Sequence, residues 1–359
     1  MILTGCQTPY RVFDTTSRQS PMLKAKFYKQ LDDSKVQCQL CNHFCVISNN
    51  QTGICRARQN QQGQLYSLVY GYPVALNIDP IEKKPLFHFQ PGSLSYSLGT
   101  LGCNFSCANC QNWDISQATD IEAKTKYLDF IKPEKIVKNA LATSCSSVAY
   151  TYNEPTIWTE YALDIMKLAR KNKLKNVWVS NGYMSPDCLK AILPYLDAAN
   201  IDLKSMDEDF YLENCGAKLG PVLDNLKRLK KEKIHTEITT LIIPSLSDEP
   251  KMLKKIAEFI ASELGPEIPW HISKFSSEIS WKLKNLPETE DEIIYKAYEI
   301  GKKAGLKHIY AGNMPGDKKE NTYCPNCGQL AIKRLGYQIE RLDKNGRCAK
   351  CGENLNISD

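Results

Sequence analysis

Leu94-Ser95-Tyr96-Ser97-Leu98-Gly99-Thr100-Leu101-Gly102-Cys103-Asn104-Phe105-Ser106-Cys107-Ala108-Asn109-Cys110-Gln111-Asn112-Trp113 sets a strand-like run directly before three cysteines. Leu94 to Thr100 opens a series of such runs, continued by Ser147 to Tyr152, Asn176 to Ser180, Ala199 to Leu203, Glu237 to Ile243, Trp270 to Lys274 and His308 to Ala311. Amphipathic stretches at helical period lie between several of them: Ile157 to Asn172, Val222 to Lys231, Lys251 to Leu264 and Asp291 to Ala304. Strands that alternate with helices predict a parallel sheet, because parallel neighbours need crossover connections. The expected fold class is therefore α/β, a full or partial (β/α) barrel with its chemistry at the carboxyl ends of the strands. Conspicuous polar residues stand there: Cys103 after the first run, Asn153 and Glu154 after the second, Asn181 after the third and Lys204 after the fourth.

Outward from this core, residues 1–21 read as a polar, disordered extension. Residues 22–93 read as a cysteine-rich metal-binding module that begins with a short helix from Met22 to Leu31 and ends at the Pro91-Gly92 break. The core then runs over 94–320, and 321–359 form a separate appendage with two Cys-x2-Cys knuckles.

Composition narrows the function. No apolar run approaches the ~18 residues of a membrane span. The 46 Lys and Arg against 40 Asp and Glu give a net charge of +6, too even for a dedicated nucleic-acid binder. Eleven of the 15 cysteines fall into three tight groups, the pattern of metal sites rather than of a disulfide framework. Free thiolates and the lack of a normal secretory signal predict a reducing cytoplasm. Leu3-Thr4-Gly5-Cys6 matches a lipid-attachment box but lacks the basic and apolar segments that should precede one, so it reads as chance.

Each group has its own chemistry. Cys103, Cys107 and Cys110 supply three thiolates at the spacing Cys-x3-Cys-x2-Cys. A [4Fe-4S] cluster normally takes four, so a cluster held by three leaves one iron open to a ligand; zinc, or a fourth ligand from elsewhere in the chain, are the alternatives. Cys324, Cys327, Cys348 and Cys351 form paired knuckles that read as a zinc ribbon, closed and therefore structural. Cys38, Cys41, Cys45 and Cys55 suit either zinc or a second cluster, with His43 as an alternative ligand. Cys215 reads as a cysteine at a helix end without a role, or as a reactive thiol.

The cysteine motif after the first strand resembles the signature of the radical S-adenosylmethionine (SAM) superfamily. More narrowly, the chain is similar to the pyruvate formate-lyase activating enzyme group and its AmmeMemoRadiSam branch, over Asp79 to Phe89, Cys103 to Trp113, Tyr150 to Tyr161, Ser180 to Tyr183, Asn200 to Lys204, Thr239 to Pro244, Trp270 to Phe275 and the terminal knuckles. The resemblance implies that the open iron binds SAM and that one electron cleaves it to methionine and a 5′-deoxyadenosyl radical, which takes hydrogen from a substrate. It implies SAM contacts at Asn153, Glu154, Ser180, Asn181, Asp202, Lys204 and His271. It also implies an electron donor such as flavodoxin or ferredoxin, and a protein substrate or partners of the Ammecr and Memo type. Two positions depart from the pattern. Asn109 stands where an aromatic packs near adenine, leaving Trp113 or Phe105 for that contact, and Val179 replaces an Asp that helps hold a cation. The substrate stays open between a glycine Cα–H of a protein, a small molecule or lipid, and RNA; the competing class is a non-catalytic, zinc-bearing interaction protein.

Overall fold

The computed structural model describes residues 22–359; the extension at 1–21, Cys6 included, lies outside the described residues. The strands are β1 (Leu23–Lys24), β2 (Tyr28–Gln30), β3 (Val36–Cys38), β4 (Val46–Ile47), β5 (Arg58–Gln61), β6 (Gln64–Ser67), β7 (Ala75–Pro80), β8 (Leu94–Gly99), β9 (Ser147–Tyr150), β10 (Lys175–Ser180), β11 (Ala198–Asp202), β12 (His235–Ile242), β13 (Trp270–Lys274), β14 (Ile309–Gly312), β15 (Thr322–Tyr323), β16 (Leu330–Leu335) and β17 (Gln338–Arg341).

The mixed α/β fold is organised by a central sheet in which β8 to β14 run parallel in strict sequence order, with β7 antiparallel at the edge beside β8. The sheet is open, with β7 and β14 at its two edges. The six parallel steps are bridged by the helices Pro133–Ala142, Thr159–Lys171, Pro186–Ile192, Gly220–Lys231, Pro250–Phe259 and Asp291–Lys303. Three of these begin on proline, whose fixed φ suits a first helical turn that has no use for its missing N–H. Periodicity alone missed Pro133–Ala142 and Pro186–Ile192, which are only 10 and 7 residues long. The helices bury Trp158, Trp178 and Trp270 against one face of the sheet. The opposite face is covered by the chain after β7, where Ile81, Leu86 and Phe89 pack on Ala149, Val177 and Ala198. The central sheet thus takes in residues from before the Pro91-Gly92 break.

The expected helix from Met22 to Leu31 is absent: Leu23–Lys24 pairs with β6 and Tyr28–Gln30 pairs with β3. A ten-residue helix is marginal on its own, and partner strands on both sides supply hydrogen bonds that override its local preference. This N-terminal region forms two three-stranded antiparallel sheets, β1-β6-β5 and β2-β3-β4. Its strongest tie to the core is a buried, two-pronged ion pair, in which Arg58 donates to Glu160 Oε2 at 2.8 Å and to Oε1 at 2.9 Å. The Lys26 backbone N–H donates to the same carboxylate at 3.0 Å.

The C-terminal strands β15-β16-β17 form a third small sheet, docked on the segment that follows β7. Arg334 donates to the Phe87 carbonyl at 2.8 Å and lies 4.2 Å from the Phe87 ring centre, while the Ser358 N–H donates to the His88 carbonyl at 2.8 Å. Among the described residues no helix is long and apolar enough to cross a membrane.

Removing one member of a buried ion pair strands the other. Glu160→Ala should therefore lose about 3–5 kcal/mol of stability, whereas the apolar double replacement Arg58→Met/Glu160→Leu should lose much less. Anaerobic urea unfolding of the three proteins checks this.

Candidate active site

The loop between β8 and the short helix at Trp113 carries Cys103, Cys107 and Cys110, and its shape is imposed from β9. The Asn153 amide donates to the Gly102 carbonyl at 2.7 Å and to Thr100 Oγ1 at 3.2 Å, and its carbonyl accepts from the Thr100 N–H and from Trp158 Nε1, each at 3.2 Å. Gly102 has φ +93°, and a Cβ there would sit 2.5 Å from the Cys55 carbonyl, so only glycine fits the turn into Cys103.

Glu154 is buried and caps the turn Pro155–Trp158. Its Oε1 accepts from the Thr156 N–H at 2.9 Å, Thr156 Oγ1 at 2.5 Å and Ser180 Oγ at 2.8 Å, and its Oε2 accepts from the Asn181 N–H at 2.8 Å. Burial pushes its pKa above the ordinary glutamate value, against the pull of these donors. Asn181 then donates to the Asn104 side-chain carbonyl at 2.8 Å, beside Cys103. Glu154, Ser180, Asn181 and the cysteine loop are thus one connected network, which Asn104 completes; nothing in the sequence pattern marked Asn104 out.

Asp202 and Lys204 form an ion pair of 2.8 Å at the end of β11. Burial alone would lower the Lys204 pKa, but Asp202 together with negative charge on Cys107 and Cys215 outweighs it and holds the ammonium above the usual lysine value. The next turn of chain braces the cysteine loop: the Ser106 N–H donates to the Cys215 carbonyl at 2.9 Å, the Ala108 N–H to the Asn214 carbonyl at 3.0 Å, and Asn214 Nδ2 to Asn109 Oδ1 at 2.9 Å. Asn109 is therefore engaged in holding the loop, and Cys215 lies in the brace with its thiol sulfur accepting from Asn214 Nδ2 at 3.6 Å. Phe105 is buried, with ring centres 5.2 Å from Tyr183 and 6.4 Å from Tyr211, whereas Trp113 is 40% exposed. Val179 packs with Val177 and Ala198 on the face of the sheet covered by the chain after β7.

His271 is placed elsewhere. Its Nε2 hydrogen-bonds Glu237 Oε2 at 2.7 Å, and its ring contacts are with Phe87 and Tyr310. Glu237 also receives the N–H groups of Phe87 and His88 at 3.0 and 2.7 Å, and His235 at 3.0 Å. Burial would raise its pKa, but the two histidines hold it well below the usual carboxylate range. The sequence reading did not mark Glu237, whose role is visible only once the Phe87-His88 segment crosses the sheet.

The donor set suits an iron–sulfur cluster. Three thiols are carried on one short loop at a strand end, burial pushes those of Cys103 and Cys110 above the ordinary cysteine value, and bound metal would supply the positive charge their thiolates need. The Phe105 N–H lies 3.4 Å from Cys103 Sγ and Ser116 Oγ 3.3 Å from Cys110 Sγ, contacts that stabilise thiolate sulfur.

A parallel sheet with a three-cysteine loop after its first parallel strand defines a radical SAM protein, and residues 98–260 match the family model described as the Radical SAM superfamily. The chain belongs to that superfamily and is an enzyme of it, which implies a [4Fe-4S] cluster and SAM. It is 44% identical to an uncharacterized protein of Methanocaldococcus jannaschii, over 94% of this chain and 99% of that one. It is also 23% identical to the pyruvate formate-lyase-activating enzyme of Clostridium pasteurianum, over 53% of this chain and 83% of that one. A crystallised domain of pyruvate-formate lyase-activating enzyme from Bacteroides vulgatus aligns at TM-score 0.41 and 19% identity, covering 47% of this chain and 99% of that domain.

Asn153→Ala removes the donor to Gly102 and leaves buried groups unpaired, at about 1–3 kcal/mol each. The variant should unfold at lower urea and retain less iron per chain after anaerobic desalting; both are measured on one preparation.

Proposed function

We propose that the chain binds SAM at a [4Fe-4S] cluster on Cys103, Cys107 and Cys110 and uses it to take a hydrogen atom from a substrate. The single observation that carries this reading is the network running from Asn104, next to Cys103 in the chain, through Asn181 to Glu154 and Ser180, which joins the cysteine loop to the ends of β9 and β10. The cluster, when bound, supplies one-electron reductive cleavage of SAM to a 5′-deoxyadenosyl radical. The chain's own residues do the rest. Asn153 fixes the loop, Asn104 and Asn181 set its distance from Glu154, and the Asp202–Lys204 pair places opposite charges at the neighbouring strand end. Glu154 and Ser180 offer polar groups suited to the amino and carboxylate ends of SAM, and the exposed Trp113 offers a ring for adenine. His271 serves the buried Glu237 network instead.

The open sheet reads as a partial (β/α) barrel whose core is 94–320 together with β7 and the chain that follows it, with the cysteine-rich stretch before β7 and 321–359 as metal-bearing modules. The C-terminal thiols Cys324, Cys327, Cys348 and Cys351, whose sulfurs all lie within 4.8 Å of one another, hold a structural zinc. The branch similarity over Asp79 to Phe89 and the terminal knuckles supports placement with the AmmeMemoRadiSam proteins. The activating-enzyme relatives make a glycine Cα–H of a partner protein the first substrate class to test, with flavodoxin or ferredoxin as donor.

Anaerobically reconstituted protein, reduced with dithionite in the presence of SAM, should release 5′-deoxyadenosine, and a Cys103→Ala/Cys107→Ala/Cys110→Ala variant should release none. Equal release from both would sink the assignment. Cys327→Ser should lose about one zinc per chain, read by elemental analysis, with the iron content unchanged.

A further inference from the structure

Cys38, Cys41, Cys45 and Cys55 line one cavity whose wall also includes Arg58 and Asn104. All four are free thiols; Cys45 is half-buried and the others are buried. The spacing of their sulfurs decides what fits between them. Zinc–sulfur bonds of about 2.3 Å put the sulfurs of a tetrahedral site about 3.8 Å apart. The C-terminal group has that geometry, with Cys324 to Cys351 and Cys327 to Cys348 both at 3.6 Å. Among the described residues it is the one set of three or more Cys, His, Asp or Glu ligands whose donor atoms all lie within 4.8 Å of one another. The N-terminal thiols that line the cavity are not such a set, nor are Cys103, Cys107 and Cys110: in neither group do three sulfurs all lie within 4.8 Å of one another. A single tetrahedral ion needs all four sulfurs nearer together than that, whereas in a cubane each thiolate binds its own iron and the ligands stand further apart.

We infer that Cys38, Cys41, Cys45 and Cys55 hold a second [4Fe-4S] cluster, with every iron ligated by the protein. Two buried donors on the cavity wall have no hydrogen-bond partner, Arg58 Nε and Asn104 Nδ2. N–H groups and a guanidinium suit the sulfides and net negative charge of a four-thiolate cluster. His43 is not needed as a ligand: its Nε2 is engaged with the Asn104 carbonyl at 2.8 Å. The two cluster sites share a wall, since Asn104 lines this cavity and follows Cys103 in the chain, and the Cys55 carbonyl packs on Gly102. A fully ligated cluster has no iron left for SAM, so its chemistry is one-electron transfer rather than ligand binding.

Iron, acid-labile sulfide and zinc are counted per chain after anaerobic reconstitution of the full chain and of its Cys103→Ala/Cys107→Ala/Cys110→Ala variant. The expected values are about eight irons in the wild type and about four in the variant, with about one zinc in each. The dithionite-reduced variant should give an electron paramagnetic resonance signal that SAM does not move. About four irons and two zincs in the wild type, with no iron in the variant, would overturn the second cluster while leaving the Cys103 cluster standing. A signal shifted by SAM would overturn its full ligation by the protein. Retention of four irons by the variant, with no 5′-deoxyadenosine from the wild type, would support the second cluster and count instead against the proposed activity. The wild-type iron count does not depend on any variant folding.

Discussion

The Asn153 amide, donating at 2.7 Å to the Gly102 carbonyl while its own carbonyl accepts from Thr100 and Trp158, fixes the path of the chain from β8 into the cysteine loop. A loop that must present three thiolates to one cluster cannot be left to its own entropy. It is held by buried hydrogen bonds on one side, from β9, and by the backbone carbonyls of Asn214 and Cys215 on the other. These bonds lie at strand and turn ends, where the backbone groups that the sheet does not use are free to bind side chains. Glu154 applies the same economy, since the carboxylate that caps its own turn also ties β10 to the site through Ser180 and Asn181.

A second constraint works from below the site. The chain between β7 and β8 crosses the sheet, packs Ile81, Leu86 and Phe89 against it, and sends the Phe87 and His88 N–H groups to the buried Glu237. Two histidines also pair with that carboxylate, so a charge with no solvent is matched by four donors. The same segment receives Arg334 and Ser358 from the C-terminal sheet. The C-terminal module is therefore fastened to the segment that covers the sheet, and the N-terminal one is fastened through Arg58 and Glu160 to the helix after β9.

The sequence by itself determined the alternation of strand and helix, hence a parallel sheet in chain order, because hydrophobic period and length are local properties of long elements. It determined the three cysteine groups, because their ligand spacings are short, and it placed Glu154, Asn181 and Lys204 at strand ends. What only the tertiary structure decided rests on contacts between residues far apart in the chain. Leu23–Lys24 and Tyr28–Gln30 are strands because of partners up to forty-odd residues away. Asn104 matters because Asn181 comes to meet it, and His271 belongs to Glu237 because the Phe87-His88 segment brings that carboxylate its other donors. The spacing of the N-terminal group, Cys-x2-Cys-x3-Cys-x9-Cys, suits zinc or a cluster alike, unlike the paired knuckles of the C-terminal group. The separation of their sulfurs, which sets whether one ion or a cluster can bridge them, is decided by the folded chain and not by the spacing.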